Sequence, residues 1–115
     1  MKTIPNKMAA VLAFAIGGMA VFAGIQVLLG NDPGYYVINW LPIYNYTAGV
    51  LTVFITAILN WTGHRLDMPA AIMTISLHAA VMVSLQTAYQ DVVAPDSIRA
   101  MTVRLVVWAV ILGLL

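Results

Sequence analysis

Two groups of residues carry the side chains able to do chemistry in this chain. In the first, Arg104 precedes Trp108 by four positions, so the two share a helix face. Arg104 falls about two turns inside an apolar stretch, where a charge must snorkel, find a partner or cost several kcal/mol. Asp91, Asp96, Gln86 and Tyr89 flank the short connection that leads into that stretch. A guanidinium among carboxylates, an amide and a hydroxyl reads as a tie between two helices, or as a cluster that binds an anion or lipid headgroup. The Trp108 ring face offers a further ~0.5–2 kcal/mol to the cation.

The second group centres on His78, about ten residues into its own stretch, with Thr74 and Met82 at four-residue spacing on the same face. Thr52 and Thr56 of the preceding stretch supply facing hydroxyls. A histidine at that depth suits a proton-titrating group, an axial haem ligand, or a soft copper site with Met82 and either Met73 or Met101. Its plainer reading is a core histidine hydrogen-bonded to a Thr or Asn of the second stretch. His64, the other histidine, lies about four turns away at the edge, which disfavours a bis-histidine haem within one chain. No cofactor is expected, with haem and copper left open and any metal unassigned.

The elements that position these groups are four stretches almost free of charge, at 8–29, 43–61, 68–88 and 98–115. Apolar runs of about 18 residues or more cross ~30 Å of hydrocarbon as helices. The chain is 63% hydrophobic and 8% charged, against about 25% charged for an ordinary soluble domain. The expectation is an all-α, integral membrane protein: one domain over 1–115, folded as an up-down bundle of four transmembrane helices. A net charge of +1 gives no case for nucleic acid. With no cysteine, thiolate metal sites, iron–sulfur clusters and thiol chemistry are excluded. Lys2 and Lys7 precede the first stretch as in a signal peptide, but the stretch exceeds the ~7–15 residues of a signal core, so a retained helix is expected.

Within the stretches, Ala10, Ala13, Gly17, Ala20 and Gly24 form a small-residue stripe, suited to close helix packing within the chain or between copies. Asn45, Gly49, Thr52, Thr56 and Asn60 make one polar face. Asn31-Asp32-Pro33-Gly34 signals a turn. Tyr35, Tyr36, Trp40, Tyr44 and Tyr46 read as an interfacial aromatic belt, with 35–41 as a short helix along the boundary. Gly63 suits a helix C-terminus, and Asp67 and then Asp96 or Ser97 suit the N-caps of the last two helices. Lys2, Lys7 and Arg65 fall on one side of four crossings, against Arg99 and Arg104 on the other. The basic bias places both termini in the cytoplasm of a multi-pass protein.

In size the chain resembles the small multidrug-resistance transporters, which depend on a glutamate in helix 1; this helix 1 has no acidic residue. Asp96-Ser97-Ile98-Arg99-Ala100-Met101-Thr102-Val103-Arg104 followed by Trp108, with Tyr44-Asn45-Tyr46-Thr47-Ala48-Gly49, resembles small, uncharacterised bacterial inner-membrane proteins of four helices. That resemblance implies a bacterial inner-membrane location and supplies no activity. Phosphate loops, zinc-protease histidine pairs and serine triads are absent. The functional expectation is a non-enzymatic accessory or self-associating membrane module, whose partners are the lipid bilayer and a homo-oligomer or larger membrane complex. An oligomeric small transporter or channel is one alternative, and a haem or copper protein using His78 and Met82 is the other.

Overall fold

The computed structural model describes residues 4–30, 34 and 38–115. Among the described residues the chain is all-helical, without strands. Four helices, α1 Ile4–Leu28, α2 Leu41–Thr62, α3 Asp67–Thr87 and α4 Pro95–Leu114, are each long and apolar enough to cross a membrane. Every one of them carries a proline within its first three residues: Pro5, Pro42, Pro69 and Pro95. There the missing N–H would have had no helical acceptor, so proline costs nothing.

The helix starts correct two expected caps. Ala94 is extended, at φ −72° and ψ 142°, and Pro95 is the first residue of α4. A residue before proline is pushed out of the helical region, which moves the start ahead of position 98. Asp96 and Ser97 therefore lie inside the first turn instead of capping it. Asp67 is the first residue of α3 and Leu66 occupies the cap, although Asp67 Oδ1 accepts from the Met68 N–H at 2.5 Å. Gly63 ends α2 in the left-handed region, at φ 65° and ψ 31°, as its lack of a Cβ allows. Of the expected turn and boundary helix, 31–33 and 35–37 lie outside the described residues, and Leu41 opens α2 itself.

The α1 stripe packs within the chain. Ala10, Ala13, Gly17, Ala20 and Gly24 are all buried. Gly17 lies against Thr52 and Val53, and Gly24 against Pro42, Asn45 and Tyr46, so α1 and α2 run antiparallel. A Cβ on Gly49 would stand 2.6 Å from the Gly17 carbonyl oxygen. Small residues on both helices bring the backbones into contact, and dispersion rather than a hydrophobic difference holds them in an apolar medium. The dimer reading of this stripe is thereby replaced by α1–α2 packing.

Two apolar clusters fill the interior. Ala9, Ala13, Ile16, Ala57, Ala71, Trp108 and Ile111 form one, towards the end that carries the α2–α3 loop. Ile38, Leu41, Val81, Leu85 and Met101 form the other, towards the α3–α4 loop. Large apolar side chains such as Phe14, Phe22, Phe54 and Met73 point outward. In the middle of α2, Thr52–Thr56 form a π turn, in which the Ala57 N–H reaches back five residues to the Thr52 carbonyl. Both threonines of this turn are buried, and the Thr52 hydroxyl donates to the Ala48 carbonyl at 2.8 Å.

Candidate anion site in the bundle core

The two groups read separately in the sequence meet in one place. Arg104 on α4 and His78 on α3 are both buried and line a single small cavity with Thr52, Gly17, Gly49 and Trp108. Its volume is about 10 Å³, roughly what one water needs. Helical geometry explains the convergence on α4: Met101, Arg104, Trp108 and Ile111 follow the 3–4 spacing of its buried face.

Arg104 meets an amide instead of the expected acids. Its Nη1 donates to Asn45 Oδ1 at 2.6 Å and lies 3.4 Å from Met101 Sδ. Among the described residues no carboxylate pairs with it. Asp96 turns onto Arg99, at 3.8 Å between exposed side chains, a pair worth little in solvent. Asp91 and Gln86 are exposed. Tyr89 accepts from Trp40 Nε1 at 2.9 Å. Trp108 is completely buried, but its ring neighbour is His78, at 6.4 Å between centroids. Of the grouping of Arg104 with Asp91, Asp96, Gln86 and Tyr89, Asp91 and Gln86 face outward and Tyr89 is taken by Trp40, while Asp96 lines a cleft with Arg104 without pairing with it.

Arg104 also lines a cleft of about 70 Å³ with Asn45, Ser97, Asp96, Pro42 and Ala23. Among the described residues, Asn45 Oδ1 and Met101 Sδ are the acceptors that the guanidinium reaches. The cleft brings together a positive charge, one amide and one hydroxyl, donors that suit an oxyanion, with the Asp96 carboxylate as the one opposing charge in its lining.

His78 takes its partner from α2, but the partner is Tyr44, not a Thr or Asn. The Tyr44 hydroxyl hydrogen-bonds His78 Nδ1. The two rings pack edge to face at 5.8 Å. With the hydroxyl donating, the ring hydrogen falls on Nε2. Trp40 packs on Tyr44 at 6.3 Å and on Tyr89 at 5.8 Å, so an aromatic group assigned to the interface turns inward over the histidine. Tyr46, by contrast, is exposed. Replacing Trp40 with Phe should remove the bond to Tyr89 while keeping most of the ring contact. We expect a loss of about 0.5–1.5 kcal/mol, read as a lower Tm in detergent.

Of the residues grouped with His78, Thr52 shares its cavity, whereas Thr56, Thr74 and Met82 do not line it. Thr74 Oγ1 donates to the Ala70 carbonyl at 2.8 Å. Met82 is half-buried against the Ile38–Leu85–Met101 cluster. Met73 faces outward, and Met101 Sδ faces Arg104, so the methionines considered for copper point in different directions. Sequence reasoning placed Tyr44 in the interfacial belt and Asn45 on the polar face of the second stretch, and named neither as a partner of His78 or Arg104. No local pattern marks those pairings, since the partners lie 34 and 59 positions away.

No protein-family model, no curated protein and no solved structure matches the chain.

Proposed function

We propose that the chain is an integral membrane protein, an up-down bundle of four transmembrane helices, that acts without catalysis as a module holding an oxyanion. The group bound is of the phosphate class, carried by a lipid headgroup or free in solution. Arg104 supplies the charge, and Asn45 fixes the guanidinium. One observation carries this reading: Arg104 is buried, has no carboxylate partner among the described residues, and lines a cleft with Asn45 and Ser97. A buried unpaired charge is costly, so a bound counter-charge stabilises the fold as well as filling the site. The module sits in the bacterial inner membrane with both termini cytoplasmic and the cleft outside, as an accessory subunit or homo-oligomer. A second reading, a small oligomeric transporter, draws on the separate small cavity that Arg104 shares with His78 and Thr52.

The test separates the two sources. Native mass spectrometry of the full chain with phosphatidylglycerol reads lipid binding. Calorimetry with inorganic phosphate in a non-ionic detergent reads the free anion. One of the two should bind the wild type, and Arg104→Gln should weaken it by about tenfold or more, ~1.4 kcal/mol, with Arg104→Lys intermediate. Equal binding by Arg104→Gln, or no binding of either probe, would falsify the anion site. Phosphate uptake into proteoliposomes, lost in Arg104→Gln, would favour the transporter.

A further inference from the structure

The opposite end of the bundle holds a second polar layer. Ala9, Ala57 and Ala71 belong to one apolar cluster, from α1, α2 and α3. One turn further towards the α2–α3 loop, each helix continues its buried face with a polar residue: Asn6, Asn60 and Asp67. Asn6 and Asn60 are completely buried, and Asp67 is 5% exposed. Lys7 and Trp61, the residues next to the two asparagines, also meet, with the Lys7 Nζ 5.0 Å over the indole ring. The three polar side chains therefore lie at one level.

Their hydrogen bonds do not close. Asn6 Nδ2 donates to Asp67 Oδ2 at 2.9 Å. That bond fixes the amide orientation, because a carboxylate accepts only from the nitrogen. Among the described residues Asn6 Oδ1 is left without a donor, and neither Oδ1 nor Nδ2 of Asn60 has a partner. Asp67 has no cationic partner among the described residues; its other oxygen takes the Met68 N–H. The layer thus presents one buried carboxylate and two unpaired amide oxygens. Oxygen donors of this kind suit a hard cation. A single carboxylate balances a single positive charge.

We infer that Asp67, Asn6 and Asn60 bind a monovalent alkali cation at the α2–α3 loop end of the bundle. The cation neutralises Asp67 and takes the free amide oxygens, and water in its shell serves Asn60 Nδ2. This site is separate from the Arg104 cleft and stands or falls independently of it.

The experiment uses the full chain in non-ionic detergent, with choline chloride replaced stepwise by sodium or potassium chloride at fixed ionic strength. Above the dissociation constant, Tm should rise by about 5 °C per tenfold increase in the bound cation. Asp67→Asn keeps the side-chain shape and should abolish the rise. A Tm indifferent to both cations, or a rise equal in Asp67→Asn, overturns the inference and leaves the layer to water. Should Asp67→Asn fail to fold, sodium-23 line widths of the wild type decide. Broadening reversed by potassium supports the site; no broadening, or broadening that potassium leaves unchanged, refutes it.

Discussion

Gly49→Val is expected to unfold the bundle or lower its stability by about 3 kcal/mol or more. Ordinary overpacking costs ~1–3 kcal/mol because neighbouring side chains can rotate away. Here a Cβ would meet the Gly17 carbonyl oxygen at 2.6 Å and the Val21 backbone nitrogen at 2.8 Å. Backbone atoms have no rotamer to move into, so α1 and α2 must separate. Separation loses the dispersion contacts along the whole Gly17–Gly24 seam. Against a total stability of ~5–15 kcal/mol, that is a large fraction. Gly18, next to Gly17 on α1, is the control: a Cβ there meets nothing within 4 Å. Gly18→Ala should be neutral or stabilising by up to ~1 kcal/mol, since it only lowers the backbone entropy lost on folding. Thermal melts of both variants in one detergent check the contrast. Similar Tm values for the pair would mean that the helices are not in backbone contact.

Tyr44→Phe should cost about 1–3 kcal/mol, although it removes a single oxygen. The loss leaves His78 Nδ1 buried without its Tyr44 hydroxyl, where desolvation is no longer repaid by that bond. His78→Leu in the Tyr44→Phe background should then restore stability, because replacing both partners of a buried bond by apolar groups removes the unsatisfied atom. A double-mutant cycle read by Tm should give a coupling of at least ~0.5 kcal/mol. Strict additivity of the two changes would argue that Tyr44 and His78 do not touch.

The four helices were legible because burying a backbone in hydrocarbon leaves one solution, a long uninterrupted apolar helix, and hydropathy reads its length directly. Gly63 as a terminator and the inward stripe of Ala10 to Gly24 were legible for local reasons, a left-handed residue and a 3–4 spacing. The site was legible only in its members. Arg104 and His78 stand out by depth, but spacing along one helix carries no information about which face of another it meets. Their partners, Asn45 and Tyr44, are consecutive residues of α2 with different neighbours: Asn45 reaches α4 and Tyr44 reaches α3. Tyr44 also fits an interfacial belt equally well by composition. The Asn6–Asp67 bond spans 61 positions and leaves no local trace. Asp91 and Asp96 attracted attention through charge, yet an exposed acid beside an exposed Arg99 gains more water than a buried cation could return.

The π turn at Thr52–Thr56 sets a phase relation along α2. One extra residue in a helix rotates everything beyond it by about 100° relative to an uninterrupted helix. Asn45 stands before that turn and Asn60 after it. The azimuths of the two asparagines are therefore geared through five residues, with the buried Thr52 and Thr56 at the meshing point. Converting the turn to regular α-helix would swing Asn60 round the helix axis while Asn45 held still, or the reverse. The two ends of α2 thus cannot both stay aligned through a change in this segment: a one-residue deletion there would keep either Asn45 on Arg104 or Asn60 in its own layer, not both.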